Sequence, residues 1–211
     1  MGALGTGEVL LLSGAPGIPL HGPSGASAHL RGITQALARR GRVHLAVPRE
    51  VDHRGRVGAP IEVSTTTAAP RRWGWLPRQW RVRGVLLDGQ RLVRRALGDG
   101  AEPAWIWERH SLFCDAGARL AARRGLPRVV ELNAPLAMER ARYERLRDPA
   151  WARRLEGEIL RSADRVIAVS ATLARWAVGE AGCAPDRVRH VPNGVEDRGA
   201  GDREATRARL G

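Results

Sequence analysis

The sequence predicts a doubly wound α/β domain built around a mainly parallel sheet. Three observations carry this expectation. Short apolar runs alternate with longer segments of helical periodicity, the short runs are apolar throughout rather than at every second position, and loops rich in Gly, Pro or Arg separate the two kinds. Strands buried on both faces read as unbroken hydrophobic runs, and helices of ten or more residues between them are the crossovers that a parallel sheet needs. With 211 residues, 43% of them hydrophobic, there is apolar material for one large core or two small ones.

Taken in order, the run EVLLLS at Glu8–Ser13 is the first strand, followed by a Gly/Pro-rich loop from Gly14 to Gly25. Ala28, Leu30, Ile33, Leu37 and Ala38 recur at helical spacing, and that helix stops near Gly41. RVHLAVP at Arg42–Pro48 is the second strand and Ile61–Thr65 a weak third, with loop-like sequence at 49–60 and 66–78. A helix over Arg78–Leu97 lines up Val82, Val85, Leu86, Leu92, Val93 and Ala96. Ala104–Trp107 is strand-like, a helix ends at Arg124-Gly125, and Arg128–Leu132 is again a strand. Trp151, Leu155 and Ile159 mark a helix, Arg165–Val169 a strand, Leu173, Trp176 and Ala177 a helix stopped near Gly182, and Val188–Val191 the last strand. This is the Rossmann-like pattern, whose ligands bind beyond the carboxyl ends of the strands.

Composition narrows the function classes. No run approaches the eighteen or so apolar residues of a membrane-spanning helix. The first residues lack a basic stretch ahead of an apolar one, so no signal peptide is expected. A cytoplasmic protein follows. Cys114 and Cys183 are the only cysteines, far apart and without a neighbouring His or Cys, so neither a disulfide framework nor a metal site is expected. The net charge of +13 comes entirely from Arg, with no Lys in the chain. Together with 25 Gly and 13 Pro, that reads as coding bias toward Arg at solvated positions, and nucleic acid is not expected as a partner. The charge is nonetheless clustered: residues 71–95 hold eight Arg against one acid, Asp88.

Four stretches could carry chemistry. The loop after the first strand brings Gly22, Gly25 and Ser27 to a helix start, where free amides favour an anion or a sugar hydroxyl. It matches neither the dinucleotide fingerprint nor the P-loop; a plain long turn is the simpler alternative. His29 lies one turn into that helix and, taken alone, reads as a core or capping histidine. Glu108-Arg109-His110-Ser111 follows the fourth strand, where a Glu–Arg pair neutralising the strand end competes with a ligand site. In Glu131-Leu132-Asn133-Ala134-Pro135, alternation sends Glu131 and Asn133 to one face and Leu132 to the other. Val191-Pro192-Asn193-Gly194-Val195 closes the last strand, and Asn-Gly favours a tight turn.

These residues carry a resemblance. GIPLHGPSGASAH with ALARRGRVHLAV, then WERHSLF, ELNAPL, ADRVIAVSATLARW and DRVRHVPNGVE, is similar in content and order to the amino-terminal domain of the family 4 glycosyltransferases, over roughly residues 8–196. The resemblance implies one half of the two-domain GT-B architecture, a glycosyltransferase domain over 1–196, and a polar tail at 197–211 leading toward a donor-binding domain. It implies retaining transfer from a nucleotide-sugar to a saccharide, lipid or other glycoconjugate acceptor, with no cofactor or metal held by this chain. The donor signature E-x7-E of the family's second domain is not found, so the chain alone is expected to be inactive, its partner domain coming in cis or in trans. Position by position, Gly22 and Gly25 match the glycine-rich loop at the interdomain cleft, His29 a His common at that helix start, and Glu108, Arg109 and Ser111 a stretch beside the cleft. Glu131 and Asn133 complete the expected substrate-binding set, and Asn193-Gly194 falls at the hinge. Many members carry His where Asn133 stands; Asn hydrogen-bonds a hydroxyl but is no general base. Arg140 and Arg142, just beyond, could meet an acidic acceptor or form a solvated helix face.

Two other classes compete: a non-catalytic sugar-binding or regulatory module working with a partner chain, and a nicotinamide-dependent oxidoreductase. The latter is disfavoured by the missing glycine pattern and by a second strand that does not end in an acidic residue. Finally, RRWGWLPRQWRVRGVLL places Trp73, Trp75 and Trp80 among Arg residues including Arg78 and Arg81. Trp favours the headgroup region and Arg an anionic surface, so this stretch is expected to meet the cytosolic face of a membrane; the competing reading is an ordinary crossover helix with its Val/Leu face on the sheet, Trp in the core and Arg in water.

Overall fold

The computed structural model describes residues 7–15, 18, 20, 22–48, 61–66, 78–143, 146, 148–194 and 207–208, with the backbone alone for 66 and 78–85. Seven strands form one parallel sheet: β1 (Val9–Ser13), β2 (Val43–Pro48), β3 (Ile61–Thr66), β4 (Trp105–Arg109), β5 (Arg128–Leu132), β6 (Arg165–Ala168) and β7 (Val188–His190). Their spatial order is β3-β2-β1-β4-β5-β6-β7, and every neighbouring pair is parallel. Six helices connect them: α1 (Gly25–Ala38), α2 (Arg78–Gly98), α3 (Ala116–Arg124), α4 (Leu136–Tyr143), α5 (Pro149–Arg161) and α6 (Ala171–Gly179). The strand order reverses between β1 and β4, which makes the crevice at their carboxyl ends the topological switch point.

The doubly wound expectation holds, and burial explains why. All five residues of VLLLS in β1 are buried. Leu11 packs with Leu30 of α1 on one face, while Leu10 and Leu12 pack with Leu92, Val93 and Ala96 of α2 and with Ala116 and Leu120 of α3 on the other. Val130 and Leu132 continue that second face under Leu160 of α5 and Ala177 of α6. Among the described helices, α1 thus has one face of the sheet and α2, α3, α5 and α6 share the other. Each large side chain buried here contributes roughly 1.5–3 kcal/mol.

Local chemistry sets the ends. Ser24 caps α1 by accepting from Ser27 N at 3.1 Å, Ser170 caps α6 through Leu173 N, and Asp148 caps α5, which has Pro at its start. Gly125 ends α3 at φ 64°, the left-handed conformation that glycine adopts without penalty. At the other end of the sheet Ser64 Oγ donates to Asp99 at 2.6 Å and lies 2.7 Å from His44 Nε2. The Ser64 hydroxyl holds the Asp99 carboxyl below its ordinary value, and the chain of bonds pins the end of α2 to β2 and β3.

Two differences from the sequence reading bear on the site. β4 extends to Arg109 rather than stopping at Trp107, because Glu108 and Arg109 pair in register with Val130 and Glu131 of β5. An additional short helix, α4, follows Pro135. The membrane-facing residues expected at Trp73 and Trp75 lie outside the described residues, as do the side chains of Arg78, Trp80 and Arg81 and most of the 197–211 tail.

Candidate functional site

The polar residues at the carboxyl ends of β4 and β5 divide between the two faces of the sheet. Side chains alternate along a strand, so Trp107 and Arg109 share the α1 face with Glu131, the register partner of Arg109. Asn133 follows two residues beyond Glu131. Ser13, at the end of β1, is the register partner of Arg109.

Glu131 is the centre of this cluster. Three nitrogens converge on its Oε1: His29 Nε2 at 2.9 Å, Arg109 Nη1 at 3.0 Å and Asn133 Nδ2 at 2.5 Å. Trp107 Nε1 donates to Oε2 at 3.3 Å. Burial pushes the Glu131 carboxyl up, but hydrogen bonds from His29 and Asn133 and the charge on Arg109 outweigh it, so the group sits below its ordinary value. Burial in turn lowers the Arg109 guanidinium, opposed by Glu131. The side chain of Glu131 is 3% exposed and that of His29 15%, so the carboxylate is interior while the imidazole reaches the surface. Four donors around one carboxylate fix their own directions, which is how a site is preorganised for hydroxyl-rich or anionic ligands.

The expectation that Glu108 shares this cluster is corrected. Glu108 projects to the α2/α3 face, where Arg128 Nη1 donates to its Oε2 at 2.6 Å. Arg128 is fully buried and also donates to Ile159 O and Ser162 Oγ. A Cβ on Gly117 would overlap Glu108 Oε2, so α3 approaches this closely only because position 117 is glycine. Burial raises the Glu108 carboxyl against the pull of Arg128. The physical reason is alternation: consecutive residues of one strand cannot share a face.

Ser111 is buried and donates weakly to Arg109 O at 3.4 Å, inside the turn rather than toward the cluster. That turn is held by two devices. His110 Nε2 lies 2.9 Å from Glu156 Oε1 of α5, and the same Glu156 carboxylate accepts from Ala137 N at the start of α4. Phe113 sits at φ 68°, a conformation that costs a bulky residue of order 1–3 kcal/mol. It is offset by burial and by stacking on Trp151 with ring centroids 5.2 Å apart. Cys114, behind the turn, has its thiol pushed up to about 12 by burial, which leaves it protonated and inert.

On the α1 side, Arg31 Nη1 donates to Leu20 O at 2.7 Å and to Gly22 O at 3.1 Å, strapping the glycine-rich loop to its helix. Gly22 is buried and Gly25 exposed at the first position of α1. Among the described residues, nothing outside its chain neighbours and the backbone of α1 lies within 4 Å of where a Cβ on Gly25 would stand. Asn193 and Gly194 follow β7 and are exposed. Among the described residues no group of three or more His, Cys, Asp or Glu is placed to hold a metal ion, and no described helix is long and apolar enough to cross a membrane.

Trp107, Arg128 and Glu156 were not among the expected site residues. For Trp107 a signal existed: it is two positions from Arg109, on the same face by alternation. Arg128 and Glu156 reach partners 20 and 46 residues away, and no local pattern announces such pairs.

The family model for Glycosyltransferase Family 4 matches residues 23–198. The chain is 35% identical over 117 residues to a D-inositol 3-phosphate glycosyltransferase of Acidothermus cellulolyticus, a match covering 52% of this chain and 26% of that protein. Among solved structures, HepE of Anabaena in complex with UDP and glucose is similar over 97% of this chain and 50% of its own, at a TM-score of 0.58 and 19% identity. Sucrose-phosphate synthase from Thermosynechococcus elongatus reaches a TM-score of 0.71 at 17% identity, over 97% of this chain and 52% of its own. The chain spans about half the length of these solved chains and a quarter of the curated relative. Its Rossmann-like sheet is the fold of one half of the GT-B glycosyltransferases, and with the family model covering most of its length, the chain belongs to Glycosyltransferase Family 4.

Proposed function

We propose that this chain is the acceptor-binding half of a retaining glycosyltransferase. It receives a saccharide, lipid or other glycoconjugate acceptor, while a donor-binding domain, in the same polypeptide or a partner, supplies the nucleotide-sugar. The single observation that carries the reading is the cluster on Glu131. It stands beside the topological switch point, where open α/β sheets bind ligands, and presents His29, Arg109 and Asn133, with their hydrogen bonds to Glu131 defining their orientation. Such donors recognise hydroxyls and phosphates without a metal. Gly25 is exposed at the first position of the helix that carries His29, and Asn193-Gly194 is the proposed hinge toward the donor side.

Orientation of two bound reactants is worth roughly 7–11 kcal/mol of barrier, and one half of a cleft does not provide it. The purified chain should therefore bind acceptors but turn over none. Incubation with a panel of nucleotide-sugars and saccharide, inositol-phosphate and lipid-linked acceptors tests this; clear product formation by the chain alone would sink the reading. The Arg/Trp stretch is proposed to meet an anionic membrane on the cytosolic side. Co-sedimentation with anionic vesicles should fall with salt and in Trp73→Ala/Trp75→Ala, and equal recovery in the supernatant with and without anionic lipid would remove that part of the proposal.

A further inference from the structure

We propose that Glu156 of α5 is a positioning residue for the Glu131 cluster: it sets the turn after β4 and the start of α4 against each other, and with them Arg109 and Asn133. For its ligand this rests on the acceptor-side reading above. The starting observation is a carboxylate where packing alone asks for an apolar residue. Glu156 lies on the buried stripe of α5 with Ala152, Ile159 and Leu160, and its side chain is 1% exposed. Ala152 and Leu155 of the same helix belong to an apolar cluster with Leu112, Phe113 and Trp151. Replacing a buried ionic pair by well-packed apolar residues is often neutral or stabilising, so packing does not account for a carboxylate at this place.

Its partners do. Glu156 Oε1 lies 2.9 Å from His110 Nε2, and Ala137 N donates to both carboxylate oxygens, at 3.4 Å to Oε1 and 3.3 Å to Oε2. Each partner is a chain neighbour of a cluster residue. His110 follows Arg109 directly, and its own N–H donates to Glu131 O at 2.9 Å. Ala137 is the second residue of α4, which begins three residues beyond Asn133. Amides of a first helical turn have no partner within the helix, and a carboxylate is favoured beside them by the helix dipole. One buried carboxylate therefore holds two separate segments at a fixed spacing.

That spacing matters because the cluster closes on a single atom. Arg109 Nη1 and Asn133 Nδ2 both donate to Glu131 Oε1, and a hydrogen bond weakens steeply once its donor is turned or displaced. A shift of either segment carries one of the two donors away. Glu156 acts from behind the sheet: His110 is one step of strand alternation from Arg109 and projects to the opposite face. No hydrogen bond joins Glu156 to the cluster itself among the described residues.

NMR of the ligand-free chain tests this, with the Asn133 side-chain amide and the Trp107 indole as reporters, since each donates to Glu131. In folded Glu156→Ala both resonances should move from their wild-type positions. Glu156→Gln, which keeps an oxygen for Ala137 N, should leave both near wild type. Leu155→Ala removes packing from the same helix and cluster without removing the carboxylate; it reads what lost stability alone does, and both reporters should stay in place. Reporters unmoved in Glu156→Ala, or moved as far in Glu156→Gln or Leu155→Ala, would overturn the proposal. Should Glu156→Ala not fold, His110→Leu cuts one of the two ties and should move the reporters, and their staying in place there would overturn it. Titration with inositol phosphate adds the ligand. Glu156→Ala should bind it about tenfold more weakly than wild type and Glu156→Gln within about twofold, because donors no longer held in place lose preorganisation; equal affinity in all three would overturn the proposal. If wild type binds no inositol phosphate, saccharide or lipid-linked acceptor, the acceptor-side reading fails, and the ligand-free spectra still decide whether Glu156 positions the cluster.

Discussion

Glu108 and Glu131 lie on neighbouring strands at the same end of the sheet, both almost fully buried, yet they have opposite surroundings. Glu131 is met by four side chains, one of which, His29, reaches the surface, and its carboxyl is held below the ordinary value. Glu108 is met by one, the fully buried Arg128, and burial raises its carboxyl. Glu108 Oε1 and Arg128 Nε have no hydrogen-bond partner among the described residues. The first carboxylate organises groups toward a ligand; the second neutralises a charge inside the packing of α3 and α5. What separates them is a single step of strand alternation, so the same chemistry becomes a site on one face and a structural tie on the other.

Breaking the structural tie should have the largest effect. Arg128→Ala leaves the buried Glu108 carboxyl without its partner, to stay unpaired or take up a proton, and opens a cavity where the guanidinium stood; it should cost about 3–5 kcal/mol in urea unfolding. Replacing both partners, as Glu108→Leu with Arg128→Met, should recover much of that loss, because apolar packing substitutes for a buried pair. If the single substitution costs under 1 kcal/mol, the pair is not the tie described. Next in size, Gly117→Ala forces a methyl onto the Glu108 carboxylate and should cost about 1–3 kcal/mol, with acceptor binding on the other face unchanged once the variant is folded.

On the Glu131 side the stability effect should be smaller and its pH dependence opposite. Glu131→Gln should cost about 1–3 kcal/mol at neutral pH, since buried donors lose a charged acceptor. The folded value lies below the ordinary 4.5, so this contribution is fully present above pH 4.5 and is lost as pH falls through the folded value. The deficit of the variant should therefore shrink on acidification. For Glu108 the folded value lies above 4.5, so its contribution is present below 4.5 and lost as pH rises through the folded value, and the gap between wild type and Glu108→Gln should narrow in that direction. Parallel urea titrations between pH 3 and 7 that show the same sign for both would erase the distinction. The smallest effect belongs to Gly25→Ala: with no contact from the rest of the described residues and no left-handed φ at that position, stability should stay within about 0.5 kcal/mol.

The sheet was legible in the sequence because its strands are apolar on both sides and punctuated by glycine: VLLLS, VHLAVP and RVVEL each fall within a residue of their expected ends. The site was legible in part. Period two alone placed Glu131 and Asn133 on one face, and the pairing with His29, 102 residues away, came only with the fold. Glu108 was misplaced because its strand was expected to end at Trp107; with the strand continued to Arg109, alternation would have separated the two neighbours. Arg128 carried no signal, since a charged residue at a strand start is ordinarily solvated and only a partner across the sheet reverses that.

The claim that the Glu131 face, and not the Glu108 face, receives the acceptor is tested most directly by ligand titration of the chain followed by NMR. Among the saccharide, inositol-phosphate and lipid-linked acceptors, a bound ligand should shift the Trp107 indole, the Asn133 side-chain amide and the His29 ring together, and Glu131→Gln should weaken that binding. The Arg128 guanidinium and the Gly117 amide should not move. Shifts centred on Arg128 and Gly117, with Trp107, Asn133 and His29 unchanged, would contradict the account.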